Sequence, residues 1–221
     1  QSPLHEFKSP IRKAEKIFFM WFRQENYLVF VSGSFLYIYE FEARRVFMFE
    51  IKALDPKHWK NYELLFSYDT DGYYSFEIHN WDFKLVFHPY PTVAHKTFTD
   101  HLFGEWLENP IAFGAFYHNR LIGVVEGSPE LWNNRFRIAN LLVWDDFRNQ
   151  GIGKTLIQKA EEAAKNSNAR MLVLETQTCN RKAVDFYLAM GFRPIGFDLF
   201  CYTNSDPDSG EVRLEMAKPL I

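Results

Sequence analysis

The stretch Arg148-Asn149-Gln150-Gly151-Ile152-Gly153-Lys154 constrains this chain more than any other. It leaves a run of aliphatic residues, 136–143, that reads as a strand. It enters a run over 153–166 in which Leu156, Ile157, Ala160, Ala163 and Ala164 share one helical face. A loop between a strand and a helix start exposes backbone N–H groups and the positive end of the helix dipole, and both attract phosphate. Gly151 and Gly153 let such a ligand approach the main chain closely. The motif therefore predicts an α/β chain built around a strand–loop–helix unit, with an anionic ligand at the loop.

Three phosphate motifs compete for this loop. Gly153-Lys154-Thr155 supplies the end of a P-loop, but Arg148 stands where its first glycine belongs. A dinucleotide fingerprint finds Gly151 and Gly153 but meets Leu156 at its third glycine. The third pattern, [RQ]-x-x-G-x-[GA], is met in full by Arg148, Gly151 and Gly153. Downstream, Asn180-Arg181-Lys182-Ala183-Val184-Asp185-Phe186-Tyr187-Leu188-Ala189-Met190-Gly191-Phe192 is similar to the N-x-x-A-x-x-F-Y-x-x-x-G-F signature. The two motifs, in this order and with a helix and a strand between them, resemble the GNAT superfamily of N-acetyltransferases over roughly residues 46–217. Leu174-Glu175-Thr176-Gln177, Trp132-Asn133-Asn134-Arg135, residues 68–74 and Ile195-Gly196-Phe197-Asp198 look like its streptothricin acetyltransferase branch. Asn140 and Leu142 depart from that branch, where Glu and an aromatic residue are expected.

The resemblance implies a fold class, α/β (α+β). It would have a mixed central sheet, helices on both faces and a V-shaped splay between the family's fourth and fifth strands. It implies acetyl-CoA or coenzyme A as cofactor. Strand residues Leu141, Leu142 and Val143 would hold the pantetheine arm. Arg148, Asn149, Gln150, Gly151, Ile152, Gly153 and Lys154 would hold the pyrophosphate, with Asn180 and Tyr187 on the coenzyme arm. A backbone N–H near Val143 would stabilise the oxyanion. Tyr187 would protonate the departing thiolate, since a phenol can donate to sulfur. The first candidate general base is Glu126, at the end of a strand, and the second is Glu175. Tyr68, Tyr73, Tyr74, Trp132 and Asp198, with Asp71 beside them, would suit a cationic amine by charge and cation–π contact. Each also has a plainer reading: Tyr187 and the other aromatics as core, Glu126 as a rim charge, Glu175 as a paired structural carboxylate, Asn180 as a helix N-cap.

Along the chain, residues 1–16 read as a polar tail. Residues 27–31 and 35–41 are aromatic and β-branched around Ser32-Gly33-Ser34, which reads as a β-hairpin. Residues 1–45 form an N-terminal extension, either this hairpin or non-native sequence, and 46–221 form the transferase domain. Within that domain the pattern predicts strands over 46–52, 73–78, 83–88, 111–117, 121–126, 136–143, 171–175, 195–202 and 211–217. It predicts helices over 55–66, 97–107, 153–166 and 180–190. The first has Asp55 as N-cap and Pro56 at its first position.

Composition sets the outer limits. The 221 residues carry a net charge of -3, which excludes a general nucleic-acid binder and allows an acidic site for a cation. The two cysteines, Cys179 and Cys201, are too few for a disulfide framework and too far apart for a ligand pair, so no metal is expected. No apolar run reaches the ~20 residues of a spanning helix. The expectation is a cytoplasmic enzyme with a small-molecule amine as partner, no nucleic acid or membrane, and room for a homodimer. The acceptor would be a primary amine of a small cation: a streptothricin-like antibiotic, an aminoglycoside or a polyamine. A protein or peptide N-acetyltransferase is the alternative within the enzyme class. A non-catalytic coenzyme A-binding sensor is the alternative outside it.

Overall fold

The computed structural model describes residues 48–220 in full, and before them the backbone of three strands, β1 (Phe19–Trp21), β2 (Tyr27–Ser32) and β3 (Phe35–Glu40). These three form a sheet of their own, in which β2 and β3 pair antiparallel from Tyr27↔Glu40 to Ser32↔Phe35, the two strands of the expected hairpin. The polar tail over 1–16 and the turn at Gly33-Ser34 lie outside the described residues. The chain divides into two compact units, residues 1–48 and 49–221.

The second unit opens with β4 (Glu50–Ala53) and a single helical turn, α1 (Pro56–Trp59). A long two-stranded ribbon follows, β5 (Glu63–His79) and β6 (Asp82–His101). Next come β7 (Ile111–Tyr117), β8 (Arg120–Glu130) and β9 (Arg135–Val143). The helix α2 (Ile152–Asn166) leads to β10 (Met171–Gln177), and α3 (Arg181–Ala189) leads to β11 (Arg193–Asp198). A short α4 (Asp206–Ser209) and β12 (Arg213–Pro219) end the chain. Seven strands make one mixed sheet in the order β11-β12-β10-β9-β8-β7-β4, in which only the β9–β10 pair is parallel. The fold is of the α+β class, a mixed sheet with helices, as expected.

Two expected helices are corrected. Over 55–66 the start signal is sound: Asp55 accepts from Lys57 N at 2.9 Å and Pro56 opens the turn. The helix stops after one turn, because Asn61 takes a left-handed φ of 62° and the chain enters β5. Over 97–107 there is no helix. Thr97, Phe98 and Thr99 pair with Ser67, Phe66 and Leu65 as the end of β6, and Phe98 stacks on Phe66 at 4.6 Å. The strands expected over 73–78 and 83–88 are the far half of the same ribbon. The strand expected over 195–202 ends at Asp198. The β7–β8 turn sits where expected, with His118 and Asn119 at φ 47° and 62°, the left-handed pair of a tight hairpin turn.

Strand β8 is buried throughout residues 121–128, so both of its faces are covered. A Cβ placed on Gly123 would meet Ile152 and Leu156 of α2, so α2 packs on that face. On the other face Ala112, Val124 and Leu142 meet Leu64, Leu102 and Phe103 from the base of the ribbon. The base of the ribbon therefore covers this face of the sheet.

Candidate active site

The site begins where the sheet comes apart. Strands β9 and β10 pair from Arg135↔Met171 to Ile138↔Leu174 and no further, although β9 runs on to Val143 and β10 to Gln177. On the other side of β9 the register to β8 shifts between Glu126↔Asn140 and Gly127↔Ile138, leaving Ala139 as the extra residue of a bulge. The bulge bends β9 at the level where it leaves β10, and a V opens toward the strand ends. Trp144 N donates to Ile122 O of β8 at 3.0 Å. Backbone groups alternate in direction along a strand. The N–H groups of Leu141 and Val143 therefore point away from β8, into the V, whereas that of Leu142 points to β8.

A 3-10 turn, Asp145–Phe147, carries the chain from β9 to the loop. Asn149 and Gly151 both take left-handed φ, at 61° and 83°. No atom of the described residues lies within 4 Å of a Cβ built on Gly151, so the loop has an open space in front of that residue. The first helical hydrogen bond of α2 is Thr155 N to Gly151 O, at 3.1 Å. The amides of Gly151, Ile152, Gly153 and Lys154 thus donate to no acceptor among the described residues. Phe186 of α3 lies 3.3 Å from a Cβ built on Gly153, which brings α3 against the start of α2.

Arg148 stands apart from this set. Its Nε donates to Val143 O at 3.1 Å, and its Nη2 donates to Ser67 O at 2.7 Å and pairs with Asp145 at 2.8 Å. The side chain expected on phosphate is engaged by the protein itself. Asn180 is the N-cap of α3, accepting from Ala183 N at 3.3 Å. Tyr187 lies on the buried side of that helix, 9% exposed, edge-on to Phe186 and Phe192. Burial pushes its phenol up to about 12. No hydrogen bond to its hydroxyl occurs among the described residues.

The two carboxylates differ sharply. Glu126, the first candidate base, is fully buried, so the plainer reading of it as a rim charge does not hold. Its Oε1 accepts from Phe103 N at 2.6 Å and its Oε2 from Asn140 Nδ2 at 2.9 Å. Burial raises its pKa against the opposing effect of those two bonds. Asn140, which stands where a carboxylate was expected, faces Glu126 directly across the strand pair. Glu175 lies on β10 just past the last β9 pair, with its side chain 39% exposed, paired with Arg213 at 2.7 Å. Tyr202 Oη donates to it at 3.5 Å.

The aromatic set divides. Tyr68 is buried, and its hydroxyl donates to Gln177 at 3.0 Å and touches Cys179 Sγ at 3.4 Å. Tyr74 N donates to Thr178 O at 3.2 Å, and Tyr73 stacks on His88 at 5.2 Å. Asp198 faces Arg213, which faces Gln177, so it shares the row that ends β10. Trp132 does not join them. It is 84% exposed in the β8–β9 turn, and the nine residues of β9 separate it from the loop. At about 3.3 Å per residue that is roughly 30 Å. Residues that sequence reasoning missed act through the main chain: the carbonyls of Ser67 and Thr178 carry no side-chain signal.

Among the described residues no helix is long and apolar enough to cross a membrane. A family model described as the acetyltransferase (GNAT) family matches residues 75–192, more than half of the chain. A streptothricin acetyltransferase from Escherichia coli is 32% identical over 107 residues, 48% of this chain and 61% of that protein. The N-alpha-acetyltransferase 30 of Schizosaccharomyces pombe is 32% identical over 47% of this chain and 67% of its own length. The chain thus spans well under the full length of these curated relatives. A crystal structure of nourseothricin acetyltransferase superposes with a TM-score of 0.66 at 26% identity, over 78% of this chain and 99% of that one. A Bacillus anthracis structure solved in complex with acetyl coenzyme A shares the fold, with a TM-score of 0.59 at 24% identity over 78% of this chain and 98% of that one. With the split sheet, the unpaired loop amides and the family match together, the chain belongs to the acetyltransferase (GNAT) family.

Proposed function

We propose that this protein is an acetyl-CoA-dependent N-acetyltransferase that moves an acetyl group directly to a primary amine of a small cationic acceptor of the streptothricin type, in the cytoplasm. The observation that carries the reading is the V: β9 leaves β10 after Ile138, and the freed N–H groups of Leu141 and Val143 lie one short turn from the unpaired amides at the start of α2. A pantetheine arm can pair with the first set as a strand would, while its pyrophosphate meets the second.

The residues then divide the work. Amides of residues 151–154 hold the pyrophosphate, with the open space before Gly151 leaving room for it. The Val143 N–H donates to the thioester oxygen as it becomes an oxyanion, a fixed dipole in a partly dry cleft. The amine nitrogen attacks the acetyl carbon, the C–S bond breaks, and Tyr187 gives its proton to the thiolate. A phenol pushed up to about 12 by burial stays protonated while the amine attacks, and it donates to the sulfur as negative charge develops there. The amine must lose protons as well. Glu126 has no exposed surface, so the base role moves to Glu175, on the β10 arm and open to solvent, acting through water. Glu126 instead ties the ribbon base to β8 and β9. Tyr73, Tyr74 and Asp198 supply the aromatic and acidic surface for the cation, and Tyr68, buried with its hydroxyl on Gln177, lies behind it.

A peptide N-terminus is the alternative acceptor, favoured by the likeness to the Schizosaccharomyces protein. Release of free thiol from acetyl-CoA, measured with streptothricin, an aminoglycoside, a polyamine and N-terminal peptides, decides between them. Turnover confined to peptides removes the small-cation reading. Coenzyme A binding without turnover on any amine removes catalysis.

A further inference from the structure

Strand β5 does more than form one side of the ribbon. Its residues 67–74 run past the open end of the V and touch both arms. On the β9 arm, the Arg148 guanidinium donates to Val143 O at 3.1 Å and to Ser67 O at 2.7 Å, so one planar group bridges β9 and β5. On the β10 arm, the next residue, Tyr68, sends its hydroxyl to Gln177 at 3.0 Å and to Cys179 at 3.4 Å. Tyr74 N reaches Thr178 O at 3.2 Å, and Asp71 pairs with Arg181 of α3 at 2.9 Å. We infer that residues 67–74 are a strap across the mouth of the V, fastened to β9 by Arg148 and to β10 by Tyr68, and that the strap sets the width of the cleft that receives the amine.

The chemistry of the fastenings supports this. The fork of Arg148 is spent on two carbonyls and on Asp145, which also offsets its charge. The coenzyme phosphates, by contrast, have main-chain amides available. Arg148 is therefore a positioning residue rather than a phosphate ligand. Tyr68 is 8% exposed, so its two partners on the β10 side are not in competition with water. A cleft held at both sides brings amine and thioester together at a fixed separation. A misplacement of about 1 Å at such a distance costs about 10²-fold in rate.

The inference rests on the acetyl-transfer reading, and its test separates the two. Arg148→Gln and Tyr68→Phe are made singly and together. Each single change should raise KM for the amine about tenfold and lower kcat, while calorimetric affinity for coenzyme A stays within about threefold, since the two carbonyl fastenings do not touch the phosphates. The double variant should be no worse than the worse single one, because a strap freed at one end is already free. Amide exchange over residues 67–74, which needs no turnover, should speed up in both variants. Arg148→Lys, which keeps one donor for the Ser67 carbonyl, should recover part of the loss. A loss of coenzyme A affinity beyond tenfold in Arg148→Gln, with KM for the amine unchanged, makes Arg148 a phosphate ligand and overturns the strap. So do effects that multiply in the double variant, or exchange rates that do not move. If the unaltered protein acetylates no amine, the functional reading falls and the exchange data still decide the strap.

Discussion

Tyr187 puts its ring into the protein and leaves its hydroxyl without a partner among the described residues, so Tyr187→Phe removes chemistry and little packing. The expected result is a kcat lower by about 10²–10⁴-fold with KM for acetyl-CoA nearly unchanged. Wild-type kcat under conditions where chemistry is the slow step would return the residue to the core. Gly151→Glu should abolish coenzyme A binding in calorimetry, since the open space before Gly151 would hold a carboxylate against phosphate. Glu126 gives a stability prediction. Burial holds its carboxyl above the ordinary value, so the folded protein binds that proton more tightly than the unfolded chain. The associated stability is complete at low pH and is lost as pH rises through the raised value. From about pH 4 to about pH 7, Glu126→Gln should therefore lose less melting temperature than the unaltered protein. Parallel curves would show that the carboxylate is charged at no cost.

At the scale of elements, Gly72 marks where the ribbon bends, at a register shift between Thr70 and Gly72. A Cβ there would sit 2.4 Å from His88 O and 2.6 Å from the Phe87 ring. Gly72→Ala should cost about 1–3 kcal/mol in urea unfolding, because backbone must shift to admit it. A change below about 0.5 kcal/mol would mean that the bend relaxes freely. The ribbon is also where sequence reasoning went furthest astray. The loop and α2 were legible because glycines and a 3.6 period mark them locally. The helices expected over 55–66 and 97–107 had local signals too, but Phe66 and Phe98 find each other across the ribbon, a pairing that no local window contains. The burial of Glu126 was hidden for the same reason: Phe103, whose amide it holds, reaches it only through the fold. The Arg148 pattern was read correctly as a motif, while its side chain serves a carbonyl on β5 that leaves no trace in residue types.

At the scale of the whole molecule, the division after Met48 bears on where the second unit begins. We expect a chain starting at Met48 to fold and to keep coenzyme A affinity; a truncated protein that aggregates would show that the second unit does not fold alone. The gap beyond Ile138 and Leu174 has a thermal consequence of its own. The slot between the two β-arms leaves main-chain donors without a strand partner among the described residues, so the ligand-free protein is a sheet missing one rung. Whatever fills the slot acts as that rung and binds the folded chain alone. At a hundred times its dissociation constant such a ligand adds about 2.7 kcal/mol of stability. The ligand-free protein should therefore be the weaker of two forms, melting lower and exchanging fastest along β9 beyond the bulge, and the supply of ligand would set how much of it survives heat.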